Sequence, residues 1–246
     1  MSPHATTRIS PATATSSATA TIGEGATATG SRRYRVLIVD DHPIVRHGLA
    51  ELINKTDRFE VCAQVASASA ALEMIQQHQP HAAIIDISLE GGSGLELIKQ
   101  VRAQEWPTRM LVSSMHDELL YAERALRAGA MGYVNKSEAT EQVIDALDHV
   151  LEDRVFLSGP MTERVLQRMM QSGGNIGSSP VEGLSDRELE VFEMIGQGLS
   201  TREIAKRLHL SPKTIETHRE HLKTKLNLEN NNQLVRMAVQ WVLDRQ

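Results

Sequence analysis

The chain is poor in several residue types on which specialised chemistry depends. One cysteine, Cys62, among 246 residues excludes a disulfide framework and any multi-cysteine metal site. Aromatic residues are 3% of the chain against 41% hydrophobic overall, so a core must be built mainly from Leu, Ile, Val, Ala and Met. No apolar run approaches the ~20 residues that a membrane-spanning helix needs. The N-terminus also lacks the apolar stretch of a secretory signal, which makes a reducing, cytoplasmic setting without a membrane partner the expectation.

What is present falls into blocks. Ser, Thr, Ala, Gly and Pro supply 24 of the first 30 residues, a composition that cannot bury enough surface to offset chain entropy, so residues 1–33 read as a disordered lead. From 34 to 153, short apolar runs (Val36-Leu37-Ile38-Val39, Phe59 to Ala63, Ala82 to Ile85, Met110-Leu111-Val112, Gly132-Tyr133-Val134) alternate with helical patterns. The helical patterns lie near 43–55, 68–78, 93–105, 119–129 and 138–152. Five strands alternating with five helices predict an α/β doubly wound domain with a five-stranded parallel sheet, flavodoxin-like in class. Residues 154–183 read as a short helix followed by a Ser/Gly-rich flexible linker.

Beyond 184 the pattern is all-α. Ser185-x-x-Glu188 and Ser200-x-x-Glu203 are capping boxes, and Ser211-Pro212 is an N-cap with proline at the first helical position. Helices at about 186–196, 201–208, 212–226 and 232–244 make a four-helix domain over 184–246. Charge is divided along the chain. Residues 31–156 hold 13 Lys/Arg against 19 Asp/Glu, net −6, whereas 201–225 hold seven basic and three acidic residues, net +4. An acidic domain joined to one with a basic strip points to an anionic partner for the second.

In open α/β sheets, sites form beyond the carboxyl ends of the strands. Asp40 and Asp41 end the first strand and Asp86 the third, while Ser114 follows the fourth and Lys136 the fifth. Three converging carboxylates repel unless a cation sits among them, and hard oxygen donors favour Mg²⁺. With Lys136 as a fixed positive charge and Ser114 as a hydroxyl donor, the set suits an aspartate that accepts a phosphoryl group. Taken singly, Asp41 reads equally well as a helix cap and Lys136 as a surface lysine; their placement at one sheet edge is what carries the functional reading.

These residues resemble the receiver domain of bacterial two-component response regulators, through Val39-Asp40-Asp41-His42, Ile85-Asp86-Ile87-Ser88, Gly94, Ser114 and Gly132-Tyr133-Val134-Asn135-Lys136. The resemblance implies Asp86 as phosphoacceptor, and Mg²⁺ held by Asp41, Asp86 and the Ser88 carbonyl with Asp40 alongside. Ser114 would be the switch hydroxyl, Lys136 the phosphate partner and Tyr133 the rotating aromatic. Two positions depart from the family pattern: Leu89-Glu90 stands where Met-Pro is common, and Ser137 where proline follows the lysine.

In the second domain, taking Ile215 as the buried centre places Leu222 and Leu226 beside it. The opposite face presents Lys213, Thr217, Glu220 and Thr224, flanked by Glu216, Lys223, Thr214 and His221, with Arg219 part of the basic strip. Such a polar face after a short turn is what a helix-turn-helix requires to read double-stranded DNA. The segments Leu184 to Val191, Gly198 to Ala205 and Ser211 to Arg219 are similar to the LuxR-type helix-turn-helix, and the combination resembles NarL/FixJ-type response regulators. His218 lies toward the buried side, which favours packing over base contact. On the last helix, Val235, Val239 and Val242 form a second apolar stripe, either a widening of the core or, as the resemblance implies, a homodimer contact.

The expected protein is a DNA-binding transcriptional regulator, not an enzyme, controlled by phosphorylation of Asp86 by a partner histidine kinase, with RNA polymerase a further candidate partner. One alternative is a receiver-fold regulator that works without phosphorylation. A more distant one is an aspartyl-phosphate phosphatase, which Ser88 disfavours because it stands where a catalytic acid is expected.

Overall fold

The computed structural model describes residues 33–116, 118–137, 139–170 and 180–244. The expectations for the N-terminal lead and for the linker after the short helix fall outside the described residues. Residues Arg32–Gln246 form a single compact unit.

The first half consists of β1 (Tyr34–Val39), α1 (Pro43–Asn54), β2 (Phe59–Val65), α2 (Ala68–His78), β3 (Ala82–Ile85), β4 (Ser88–Leu89), β5 (Gly92–Ser93) and α3 (Gly94–Ala103). It continues with β6 (Arg109–Ser114), α4 (Glu118–Ala128), β7 (Gly132–Asn135), α5 (Ala139–Leu151) and α6 (Gly159–Met170). Five strands make one parallel sheet in the order β2-β1-β3-β6-β7, so the order reverses beside β1. Alternation along buried strands sends side chains to two cores. Val36, Ile38, Ile84, Leu111 and Val134 meet Ile53, Val143 and Leu147 of α1 and α5 on one face. Leu37, Val39, Ile85 and Val112 meet Ile75, Leu95, Ile98 and Tyr121 on the other.

Register brings the strand ends together. Val39 pairs with Val65 and Ile85, and Ile85 with Val112, so Asp40 and Asp86 leave the sheet side by side. The Asp86 amide donates to the Val39 carbonyl at 2.8 Å, and the Lys136 amide to the Ser114 carbonyl at 2.9 Å. The hairpin β4-β5 was not anticipated. Only four residues pair in it, and its turn uses Gly91 at φ 73°, a conformation open to glycine.

Gly94 opens α3, and its amide donates to the Ile87 carbonyl at 2.7 Å. A Cβ there would overlap the carbonyl of Asp86, so the close approach permits no side chain. Gly94→Ala is therefore expected to cost ~1–3 kcal/mol by forcing the backbone apart, read from urea unfolding. An unchanged midpoint would show that this contact is not tight.

The second half holds a 3₁₀ turn (Pro180–Gly183), α7 (Asp186–Gly196), α8 (Thr201–Arg207), α9 (Pro212–Lys225) and α10 (Asn231–Leu243). Both capping boxes form: Ser185 with Glu188 starts α7, and Ser200 with Glu203 starts α8. The Ser211 hydroxyl accepts from the Thr214 amide to start α9, with Pro212 in the first turn. Leu189, Phe192, Ile195, Ile204, Ile215, Leu222, Leu234 and Ala238 are buried in one cluster, continuous with the α2–α4 face of the first half.

Candidate functional site

At the carboxyl edge of the sheet, the Lys136 ammonium sits 2.6 Å from Asp86 Oδ2 and 2.7 Å from Asp40 Oδ2, with all three side chains almost wholly buried. Burial is the strongest influence on Asp86 and raises its carboxyl above the ordinary value; Asp40 adds to this, and Lys136 works against it. For Lys136, burial favours the neutral amine, but the charges and hydrogen bonds of Asp86 and Asp40 outweigh it and raise the ammonium. One lysine thus incompletely compensates the carboxylates, an arrangement that a further cation would satisfy.

Ligand atoms of Asp40, Asp41, His42 and Asp86 lie within 4.8 Å of one another. Asp41 Oδ1 is buried, accepts no well-formed hydrogen bond, and lies 2.6 Å from Nδ1 of the exposed His42 ring. The His42 amide donates to Asp40 Oδ1 at 2.8 Å, which holds that carboxylate in place. The His42 ring nitrogen falls within the same cluster; His42 is exposed and stands at the α1 N-cap position without capping through its side chain.

Ser114 is fully buried, and its Oγ accepts from the His116 amide at 3.3 Å. Tyr133 is buried, and its hydroxyl donates to the His116 carbonyl at 2.8 Å. The Ser88 hydroxyl lies 3.0 Å from His116 Nε2. All the sequence-predicted pocket residues converge, and His116 is the member that sequence reasoning missed.

His116 leads out of the pocket to α7. Its Nδ1 lies 3.1 Å from Glu193 Oε2, and the Tyr121 hydroxyl donates to that same oxygen at 3.0 Å. Burial opposes the His116 imidazolium, but Glu193, with Glu190 and Asp86 at longer range, raises it above the ordinary histidine value. Burial would raise Glu193, yet the hydrogen bond and charge of His116, then Tyr121 and Arg207, bring it below the usual glutamate range. A cavity of about 570 Å³ lies over the pocket, walled by Asp41, Asp86, Ser88 and Lys136 on one side and by Glu193, Lys206, Arg207 and His209 on the other.

The predicted reading face of α9 is on the surface: Lys213, Glu216, Thr217, Glu220, His221 and Thr224 are exposed, with Thr214 and Lys223 half-buried at its flanks. Arg219 is a correction. It stands one turn after Ile215 on the same side of the helix, and the structure buries it, so it belongs to the packed face and not to the exposed set. His218 is half-buried, and its Nδ1 has no hydrogen-bond partner, in keeping with a packing role. On α10, Val235 is exposed, whereas Val242 closes on Gly196, where a Cβ would strike it.

Comparison with known proteins gives two family matches. The description "Response regulator receiver domain" matches residues 36–148, and "Bacterial regulatory proteins, luxR family" matches 182–238. The oxygen regulatory protein NreC of Staphylococcus carnosus is 34% identical over 209 residues, covering 83% of this chain and 96% of that protein. The transcriptional activator protein ExaE of Pseudomonas putida is 35% identical over 206 residues, covering 83% and 95%. A structure of RcsB from Salmonella enterica serovar Typhimurium, bound to promoter P1flhDC in the presence of phosphomimetic BeF3-, aligns with TM-score 0.56 at 25% identity, covering 84% of this chain and 98% of that one.

Fold and family matches together define a response-regulator receiver coupled to a LuxR-type helix-turn-helix. The chain belongs to the NarL/FixJ-type response regulators: it is a two-component, DNA-binding transcriptional regulator, in a family of regulators and not of enzymes. A receiver of this family implies a histidine kinase as partner. Among the described residues no helix is long and apolar enough to cross a membrane.

Proposed function

We propose that Asp86 is the phosphoacceptor, and that a partner histidine kinase in the cytoplasm supplies the phosphoryl group. The observation that carries this reading is the Lys136 ammonium held between Asp86 and Asp40, beside a buried Asp41 oxygen with no hydrogen bond. A carboxylate oxygen of Asp86 attacks phosphorus, the bond from phosphorus to the donor breaks, and the electron pair leaves with the donor. Lys136 would neutralise charge on the acceptor side, while the Ser114 hydroxyl would donate to a phosphoryl oxygen.

The donor set fits Mg²⁺. Asp41 and Asp86 offer hard oxygens, the buried Asp41 Oδ1 accepts no hydrogen bond and has only the exposed His42 ring beside it, and Asp86 is undercompensated by Lys136 alone. Asp41, Asp86 and the Ser88 carbonyl would hold the ion with Asp40 alongside, and the ion would neutralise charge on the transferring group. Incubation with acetyl phosphate and Mg²⁺, followed by intact mass, tests the reading: one stable phosphoryl adduct supports it, and no adduct refutes it.

Asp41→Ala is expected to weaken Mg²⁺ binding and, in metal-free buffer, to raise stability by about 1 kcal/mol, because a buried oxygen without a hydrogen bond is removed. Calorimetric Mg²⁺ titration and urea unfolding check the two effects; unchanged Mg²⁺ affinity would remove Asp41 from the ligand set.

The output is proposed to be a homodimer on double-stranded DNA, read by Lys213, Thr214, Glu216, Thr217, Glu220, His221 and Lys223, with RNA polymerase as a downstream partner. The exposed polar face of α9 supports the reading, as does the promoter-bound state of the RcsB structure.

A further inference from the structure

We propose that Glu216 selects a cytosine in the major groove, and that Thr201 on the neighbouring helix α8 is the positioning residue that aims its carboxylate. The inference rests on α9 being the DNA-reading helix, and it names the base that one side chain of that face would take.

Glu216 lies in the second turn of α9, near the end that a helix-turn-helix brings to base edges. It is exposed, yet it is held from outside its own helix. The hydroxyl of Thr201, the first residue of α8, donates to Glu216 Oε1 at 2.7 Å. Thr201 is half-buried and follows the capping residue Ser200, so its side chain starts from a fixed backbone. Glu220, the other acid of the face, is balanced by Lys223 at 2.9 Å. Glu216 has a neutral hydroxyl instead, and among the described residues it forms no ion pair.

An unbalanced carboxylate brought against the phosphates of DNA opposes binding wherever no donor meets it. In the major groove, hydrogen-bond donors come only from the exocyclic amines of cytosine and adenine. Guanine presents two acceptors, and thymine an acceptor and a methyl group, so both leave the carboxylate unpaired. Adenine sets its N7 acceptor beside the N6 amine, where a second carboxylate oxygen is repelled. Cytosine N4 has no acceptor beside it on its own base, and it is the donor that a carboxylate matches best. With Oε1 taken by Thr201, Oε2 of Glu216 is left to accept from that amine. The same bond restrains the carboxylate from swinging away, so a mobile side chain becomes a filter that pairs with one base and repels the others.

The amide of glutamine, by contrast, accepts from adenine N6 and donates to N7. Glu216→Gln therefore has an expected result that a merely structural defect does not produce. Full-length wild type, Glu216→Gln, Thr201→Val and Thr201→Ser are put through random-site selection with and without acetyl phosphate and Mg²⁺, and urea unfolding is followed for each. Wild type is expected to select cytosine at one column of the site, which Glu216→Gln changes to adenine with the other columns unchanged. Thr201→Val keeps cytosine there with its preference reduced about tenfold, and Thr201→Ser retains the wild-type preference. Unchanged columns in Glu216→Gln overturn the assignment of cytosine, and an unchanged preference in Thr201→Val overturns the positioning role. Equal weakening at every column, with lower unfolding midpoints, means that the bond only braces α8 against α9, and overturns both. Those results leave α9 standing as the reading helix. Selection of no sequence by wild type under either condition overturns that reading itself, and this inference with it.

Discussion

Asp86→Asn is expected to abolish Mg²⁺-dependent phosphorylation while the protein stays folded. The amide has almost the volume of the carboxyl, so no cavity opens, but it carries no anionic oxygen to attack phosphorus. Its effect on stability follows from two opposed changes. Lys136 loses one of its two carboxylates, and the crowding of Asp86 against Asp40 is relieved. Burial already raises the Asp86 carboxyl, so the charged form is the strained one, and the two changes should largely cancel. Intact mass after incubation with acetyl phosphate gives the first result, and urea unfolding gives the second. Labelling of the variant at wild-type stoichiometry would mean that another carboxylate is the acceptor, and Asp40 and Asp41 are then next in reach.

Most of this pocket was legible because strand ends are the easiest points to find in an α/β sequence. Apolar runs such as Ala82 to Ile85 end abruptly at Asp86, and doubly wound topology fixes which ends meet. Helix starts were equally legible at Ser185, Ser200 and Ser211, because the capping residue and its partner three residues on are local chemistry. The hairpin β4-β5 was hidden, since two residue pairs carry no periodicity.

The contact between the two halves was hidden for a different reason. Glu190 and Glu193 lie in α7 among buried apolar neighbours, and their partners are far away in sequence. Glu193 meets His116 and Tyr121, while Glu190, fully buried and held high by burial, meets Ser93 as well as nearby Arg187. Two glutamates on the buried side of a short amphipathic helix are the one signal that could have pointed there, because a buried carboxylate needs a partner. Arg219 illustrates the converse error. Counting charges along 201–225 placed it in the basic strip, whereas the i, i+4 spacing from Ile215 puts it on the packed side, where the structure buries it.

The DNA-reading face gives the second large effect, through two substitutions that should behave differently. Thr217 is exposed near the N-terminal end of α9, and its hydroxyl donates to the Lys213 carbonyl at 3.1 Å. That bond uses the hydroxyl proton and leaves the oxygen lone pairs free to accept. Thr217→Ala is therefore expected to change sequence preference by ~1–3 kcal/mol per affected base pair, with little change in salt dependence. Lys223 is at the flank, half-buried, with its ammonium 2.9 Å from Glu220 Oε1. A DNA phosphate must compete with that exposed glutamate for the lysine, and the exchange releases a counterion from the DNA. Lys223→Ala should then weaken binding about equally for all sequences and flatten the salt slope by ~1. If the exposed Val235 on α10 marks a dimer contact, the selected sites should be two-fold related with half-sites about one helical turn apart. Random-site selection with wild type and both variants at two salt concentrations measures all three. Exchanged behaviour of Thr217→Ala and Lys223→Ala would mean that α9 enters the groove on its other flank, and a single asymmetric site would count against pairing through α10.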